Sequence, residues 1–173
     1  MMDANRRRLL AVLQPVIEEI RDAPWDADLA AALNRRFPPD GDLFRAMEAL
    51  CAEGIDAGWM GLAGEEVRKG ARVIEPGPDS ADFSVDVVQL IDFTGPHHRH
   101  PHGEVCAVMA AEESGRFDGN PRGWAVYPPG SAHWPAGTGG RVRILFFLPQ
   151  GAIDYTEQTA SLGSGATGGA PAS

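Results

Sequence analysis

The chain has 173 residues, of which 43% are hydrophobic, and it carries 24 acidic against 15 basic side chains for a formal charge of −9. That length and apolar content suit one folded domain with its own core and argue against a disordered chain. The acidic balance argues against nucleic acid or an anionic membrane surface as main partner, and no apolar run approaches the roughly 20 residues of a membrane span.

The opening MMDANRRRLLAVLQPVIEEI sets basic before apolar residues, as a signal peptide would. Gln14, Pro15 and the pair Glu18 and Glu19 interrupt it, and no small-residue cleavage site follows, so it reads as mature sequence of a cytoplasmic protein. Cys51 and Cys106 form no CxxC pair and read as reduced, packed thiols. Leu9, Leu10, Val12, Leu13, Val16, Ile17 and Ile20 recur at helical spacing and predict a helix over 5–22, which Pro15 should kink or break in two. A second helix is expected over 28–37, stopped by Pro38 and Pro39. A third should start at Asp42 as N-cap and end at Gly54.

After Trp59 the texture changes to short runs of Val, Ile, Phe and Trp punctuated by Gly and Pro. These predict strands at 71–75, 83–93, 104–111, 124–127 and 142–148, with FDGNP and GTGG among the turns. Successive short strands without helices between them imply an antiparallel sandwich or barrel. The low-complexity tail from Thr159 is expected to be disordered. The chain thus divides into a helical segment at 1–58, a β-barrel at 59–155 and a tail at 156–173.

Four of the five histidines, His97, His98, His100 and His102, fall within GPHHRHPHGE, and the fifth, His133, ends YPPGSAH. Alternate strand residues share a face, so His98 and His100 can present imidazoles to one point. Glu104 has the same parity and can add a carboxylate oxygen. His102 shares that parity and is the alternative fourth ligand, although Pro101 and Gly103 should bend the chain there. The turn Pro128-x-Gly130-x-x-His133 aims a third imidazole inward. Three nitrogens and one oxygen suit a divalent Fe, Mn, Ni, Cu or Zn ion, and four protein ligands on an octahedral ion leave room for water or substrate. His97 has the opposite parity and reads as solvated or as a support behind the ligands; Arg99 reads as solvent-facing.

HxHxxxE (His98, His100, Glu104) followed by PxGxxH (Pro128, Gly130, His133) resembles the two motifs of the cupin superfamily. The resemblance covers about residues 80–150. It implies a mainly β fold, an antiparallel jelly-roll barrel preceded here by helices, holding a metal through three His and one Glu. Gly95 stands closer to the first motif than usual, and Gly137 replaces an Asn often found after the second. More specifically, the helical N-terminus with HxHPxGE at 98–104, FDGxPxGWxVYPPGSxH at 117–133 and FFLPxGAI at 146–153 is similar to 4-hydroxylaminobenzoate lyases. That resemblance implies conversion of 4-hydroxylaminobenzoate to 3,4-dihydroxybenzoate and ammonia. The N–O bond supplies the oxidising equivalent, so neither NAD nor flavin is required, and the chain carries no GxxxxGK[ST] motif.

Such chemistry assigns expected roles to further residues. His102 or His97 could shuttle protons, and Tyr127 and Trp134 flank the second motif at the mouth of the site. A benzoate carboxylate suits an arginine, for which Arg116 is the foremost choice beside Arg72, Arg141 and Arg143. Gln89, in an otherwise apolar strand, could orient substrate. The competing readings are an Fe(II)-dependent cupin dioxygenase acting on a small aromatic or thiol substrate, and a metal- or ligand-binding cupin without turnover. Pairing of open strand edges or of the helical segment would give a homo-oligomer.

Overall fold

Three helices open the fold in the computed structural model, which describes residues 2–156; the tail expected from Thr159 lies outside the described residues. In α1 (Ala4–Ile20) the Asp3 carboxylate caps the start, accepting from the Arg6 amide at 3.0 Å. The helix continues through Pro15 rather than breaking in two. Pro15 and Ala11, whose carbonyl loses its partner, both face outward, whereas Leu13, Val16 and Ile17 are buried. Water can satisfy the freed carbonyl, and the buried neighbours hold the helix together across the gap. Asp26 caps α2 (Ala27–Arg36) by accepting from the Leu29 amide at 3.0 Å.

α3 (Asp42–Asp56) departs from expectation at both ends. Its N-cap is Gly41, and Asp42 sits in the first turn, where a carboxylate faces the positive end of the helix dipole. The helix also runs past Gly54. A Cβ there would lie 2.6 Å from Met60 Cγ, so this glycine admits the returning Trp59–Met60 segment rather than ending the helix.

The strands are β1 (Ala63–Glu65), β2 (Arg68–Ile74), β3 (Phe83–Thr94), β4 (His98–Arg99), β5 (Glu104–Ala110), β6 (Arg116–Phe117), β7 (Gly123–Tyr127), β8 (Ala132–His133), β9 (Ala136–Pro149) and β10 (Asp154–Tyr155). The large sheet runs β1-β2-β3-β9-β5-β7 with β6 also on β9, and a small sheet runs β10-β4-β8. Neighbouring strands pair antiparallel throughout the described residues, and the crossovers that place β9 between β3 and β5 give the cupin-type barrel behind an N-terminal helical layer. Among the described residues no helix is long and apolar enough to cross a membrane.

The GTGG stretch, expected to be a turn, lies inside β9. Gly139 and Gly140 adopt φ of 76° and 103°, and the β3–β9 register shifts between Ile91 and Phe93. The Asp92 carboxylate accepts from the Gly140 amide at 3.1 Å. The glycines therefore build an irregularity that bends one long strand instead of ending it.

Both faces of the large sheet are buried, which hides the alternation that marks a half-exposed strand. Val85, Val87, Val105, Ala107, Met109, Trp124, Leu145 and Phe147 pack outward in one cluster with the three helices. Leu90, Cys106, Val108, Ala125, Val142 and Ile144 point into the barrel with Phe117. β7, at the end of the sheet, is closed by a side chain: Asn34 of α2 accepts from the Trp124 amide at 2.9 Å and donates to the Trp124 carbonyl at 3.0 Å. One amide thus satisfies both polar groups that a further strand would have paired. Asn34→Leu is expected to lower stability by about 1–3 kcal/mol in urea unfolding, since it strands both backbone groups; an unchanged midpoint would contradict this account of the edge.

Candidate metal centre

The small sheet and the first residue of β5 bring four side chains to one point. His98 on β4 and His133 on β8 are direct partners in register. His100 follows in a turn closed by the Gly103 amide donating to the His100 carbonyl at 3.2 Å, and Glu104 begins β5. Gly103 sits at φ 88°, and a Cβ there would meet the Tyr127 carbonyl at 2.8 Å, so the turn into Glu104 needs glycine. The ligand atoms of His98, His100, Glu104 and His133 all lie within 4.8 Å of one another, and all four residues are buried. His133 Nε2 is 2.9 Å from His98 Nε2 and 3.0 Å from His100 Nε2, and His100 Nε2 is 3.2 Å from a Glu104 oxygen.

The outer nitrogens decide what the inner ones carry. His98 Nδ1 lies 3.1 Å from the Pro96 carbonyl, which can only accept, so Nδ1 holds the proton. His133 Nδ1 lies 2.6 Å from Asp118 Oδ2 and donates to it. With both Nδ1 atoms serving these outer acceptors, the two Nε2 atoms face each other inside the cluster. Two acceptors at 2.9 Å repel unless a cation lies between them. Bonds of about 2.1 Å to neighbouring positions of one ion set donor atoms about 3 Å apart, which matches this cluster. The donor set thus fits a divalent transition metal, with His98, His100, Glu104 and His133 as the holding residues.

The electrostatics agree. Burial drives the His98 imidazole down to about 3 and His100 down to about 2, with neighbouring histidines adding to the effect, so both are neutral bases near pH 7. Burial, reinforced by Asp118 and Asp86, pushes Glu104 up to about 8 when no cation faces it. A divalent charge would reverse that penalty and balance the two carboxylates of Glu104 and Asp118. Cys106, otherwise a packed thiol as expected, also hydrogen-bonds Glu104, and burial raises it well above the ordinary thiol range.

Asp118 is the residue that the motifs did not single out. It lies in the FDG turn at φ 50°, a left-handed conformation that Asp tolerates, and its carboxylate is only 6% exposed. Besides His133 it accepts from the Tyr127 hydroxyl at 2.6 Å and from the Ala136 amide at 2.8 Å. Its only sequence signal was the turn itself.

The other expected site residues take separate places. His102 is exposed in a groove with Trp25 and Pro129, turned outward by Pro101 and Gly103, and does not join the cluster. Tyr127 stacks on His133 at 4.6 Å between ring centres and spends its hydroxyl on Asp118, while burial pushes its phenol further up. Trp134 packs on His97 at 4.7 Å, and His97 Nδ1 lies 2.6 Å from Thr156 Oγ1. Gln89 faces the helix side of β3, opposite Leu90, and accepts from Arg143 at 3.0 Å. Arg116 donates to the Glu113 and Gly115 carbonyls at 2.8 Å each, and Arg72 pairs with Asp86 at 3.2 Å. None of Gln89, Arg116 and Trp134 lines the pocket on which the cluster opens, whose walls include Leu90, Phe117, Ile144 and Phe146.

Because Asp118 fixes the proton of His133 away from the cluster, Asp118→Asn is expected to weaken metal binding about 10- to 100-fold in chelator competition, with the fold retained. Unchanged affinity would contradict the assigned tautomer.

The family described as PnbB: 4-hydroxylaminobenzoate lyase matches residues 11–155 of the chain. A 4-hydroxylaminobenzoate lyase of Pseudomonas putida is 28% identical over 172 residues, covering 89% of this chain and 97% of that protein. A 4-hydroxylaminobenzoate lyase of Nocardioides sp. (strain LMS-CY) is 30% identical over 152 residues, covering 82% and 89%. Among solved structures, the DMSP lyase DddQ of Ruegeria pomeroyi DSS-3 superposes with a TM-score of 0.53 at 16% identity over 90% of this chain and 98% of that one, a likeness of fold. With its profile matched from the first helix to the last strand, the chain belongs to the 4-hydroxylaminobenzoate lyase family.

Proposed function

We propose that this protein is a metal-dependent lyase that converts 4-hydroxylaminobenzoate and water to 3,4-dihydroxybenzoate and ammonia. The observation that carries the reading is the buried cluster of three imidazoles and a carboxylate at one end of an apolar pocket. Membership of the lyase family supports this choice of reaction.

The reaction balances without an added oxidant. Cleavage of the N–O bond releases hydroxide, water adds at the neighbouring ring carbon with loss of a proton, and hydrolysis of the resulting imine releases ammonia. When bound, a divalent ion supplies Lewis-acid polarisation and lowers the pKa of water. The chain's own residues do the remaining work. His98, His100, Glu104 and His133 hold the ion. Asp118 fixes the His133 tautomer, and its hold on Tyr127 and the Ala136 amide stops it turning away. Leu90, Phe117, Ile144 and Phe146 give the ring an apolar seat and exclude bulk water from the reacting carbon.

Metal-loaded protein in an oxygen-free assay is expected to release ammonia and 3,4-dihydroxybenzoate in equal amounts, and His98→Ala and His133→Ala to lose at least about 100-fold of that rate. A requirement for O2 would replace the lyase with the dioxygenase reading. Full activity in both variants would remove the metal from the mechanism.

A further inference from the structure

The pocket beside the cluster contains a cation that has no partner among the described residues. Arg68, the first residue of β2, is half-buried and lines that pocket. Register explains why: Arg68 pairs with Leu90 and Gly70 with Val88, so the guanidinium shares the inner face with the two apolar side chains that wall the pocket. Glu65 stands opposite Arg68 in the β1–β2 hairpin, yet no carboxylate or carbonyl of the described residues meets the guanidinium within hydrogen-bond or ion-pair distance. Gly95, also in the pocket wall, stands beside it: a Cβ built there would lie 3.8 Å from Arg68 Nε.

The other barrel arginines lack this combination. Arg72, Arg99 and Arg122 have carboxylate partners, and Arg116 and Arg143 are held by the carbonyls and the amide already described. Arg141 is exposed, in a groove with Glu48 and Met109 away from the cluster.

A guanidinium drawn from water without an anion has lost hydration it does not regain from the protein. Its planar fork matches a carboxylate through two parallel hydrogen bonds. His98, Glu104 and His133 line the same pocket. The pocket thus offers an anion site and a metal site, with apolar walls for a flat ring.

We propose that Arg68 is the carboxylate anchor of this pocket and sets its preference for aromatic acids that carry a second polar group across the ring. The identity of the reacting group rests on the lyase reading above; the anion site does not. Arg68 acts on binding and orientation, holding the ring so that the opposite substituent meets the cluster.

Calorimetry on the metal-loaded full chain separates the two ideas, using 4-hydroxybenzoate and its uncharged counterpart 4-hydroxybenzamide as unreactive probes. Native protein is expected to bind the carboxylate at least about tenfold more tightly than the amide. Arg68→Gln should lose about 10- to 100-fold for the carboxylate, little for the amide, and no bound metal. Arg68→Lys should fall between native and Arg68→Gln, because it keeps the charge without the fork. In turnover the Gln variant should raise KM for 4-hydroxylaminobenzoate far more than it lowers kcat. Equal native affinity for the two probes would overturn the proposal without any variant. Equal weakening of both probes in Arg68→Gln would overturn it too. If native protein releases no ammonia yet keeps the Arg68-dependent probe contrast, the lyase reading fails and the anchor stands.

Discussion

His98 Nε2 and His133 Nε2 stand 2.9 Å apart, and each ring turns its Nδ1 to an acceptor on the opposite side. The Pro96 carbonyl fixes one ring and the Asp118 carboxylate fixes the other. Such an arrangement is repulsive in a buried site unless positive charge occupies the centre. Around the same point stand Glu104, buried and reluctant to ionise by itself, and Asp118, anchored by three donors. A divalent ion would resolve both conflicts together, accepting the lone pairs and balancing the two carboxylates.

The rest of the fold can be understood as support for that point. The large sheet packs its outer face against α1, α2 and α3, and this outer cluster is the more extensive of the two cores. The inner face is thereby left free to hold a pocket instead of a filled interior. The helical layer, chemically inert in itself, is what lets a small barrel stay partly hollow. Asn34 ties that layer to the end of the sheet at Trp124, so the two layers are joined by hydrogen bonds as well as by burial. In the wall of the pocket the small sheet places the imidazoles of His98 and His133, and the β5 strand of the large sheet places the Glu104 carboxylate.

The sequence disclosed the parts of this site that are local. His98, His100 and Glu104 fall within seven positions and the Pro128–His133 turn announces its own geometry, so the spacing pointed to this cluster, with His102 left as the alternative to Glu104. Asp118 was not, since its reach depends on a left-handed turn residue and on the approach of Ala136 from β9. Gln89 shows the opposite failure. In a strand buried on both faces no alternation marks which side meets the pocket, and Gln89 turned out to serve Arg143 on the helix side. Arg68 sits in a charged stretch, EEVRKG, with no apolar alternation to mark its face; the register with Leu90 turns it inward. Two-residue strands such as β4, β6, β8 and β10 carry no period at all, and the glycines of β9 looked like a turn because their irregularity is resolved by pairing with distant strands.

The most direct test of the central claim is a metal titration of the metal-free protein under nitrogen, following ammonia release from 4-hydroxylaminobenzoate. The account predicts a rate that rises in proportion to added ion and levels off at one ion per chain, with His133→Ala flat throughout. A full rate before any ion is added would contradict it.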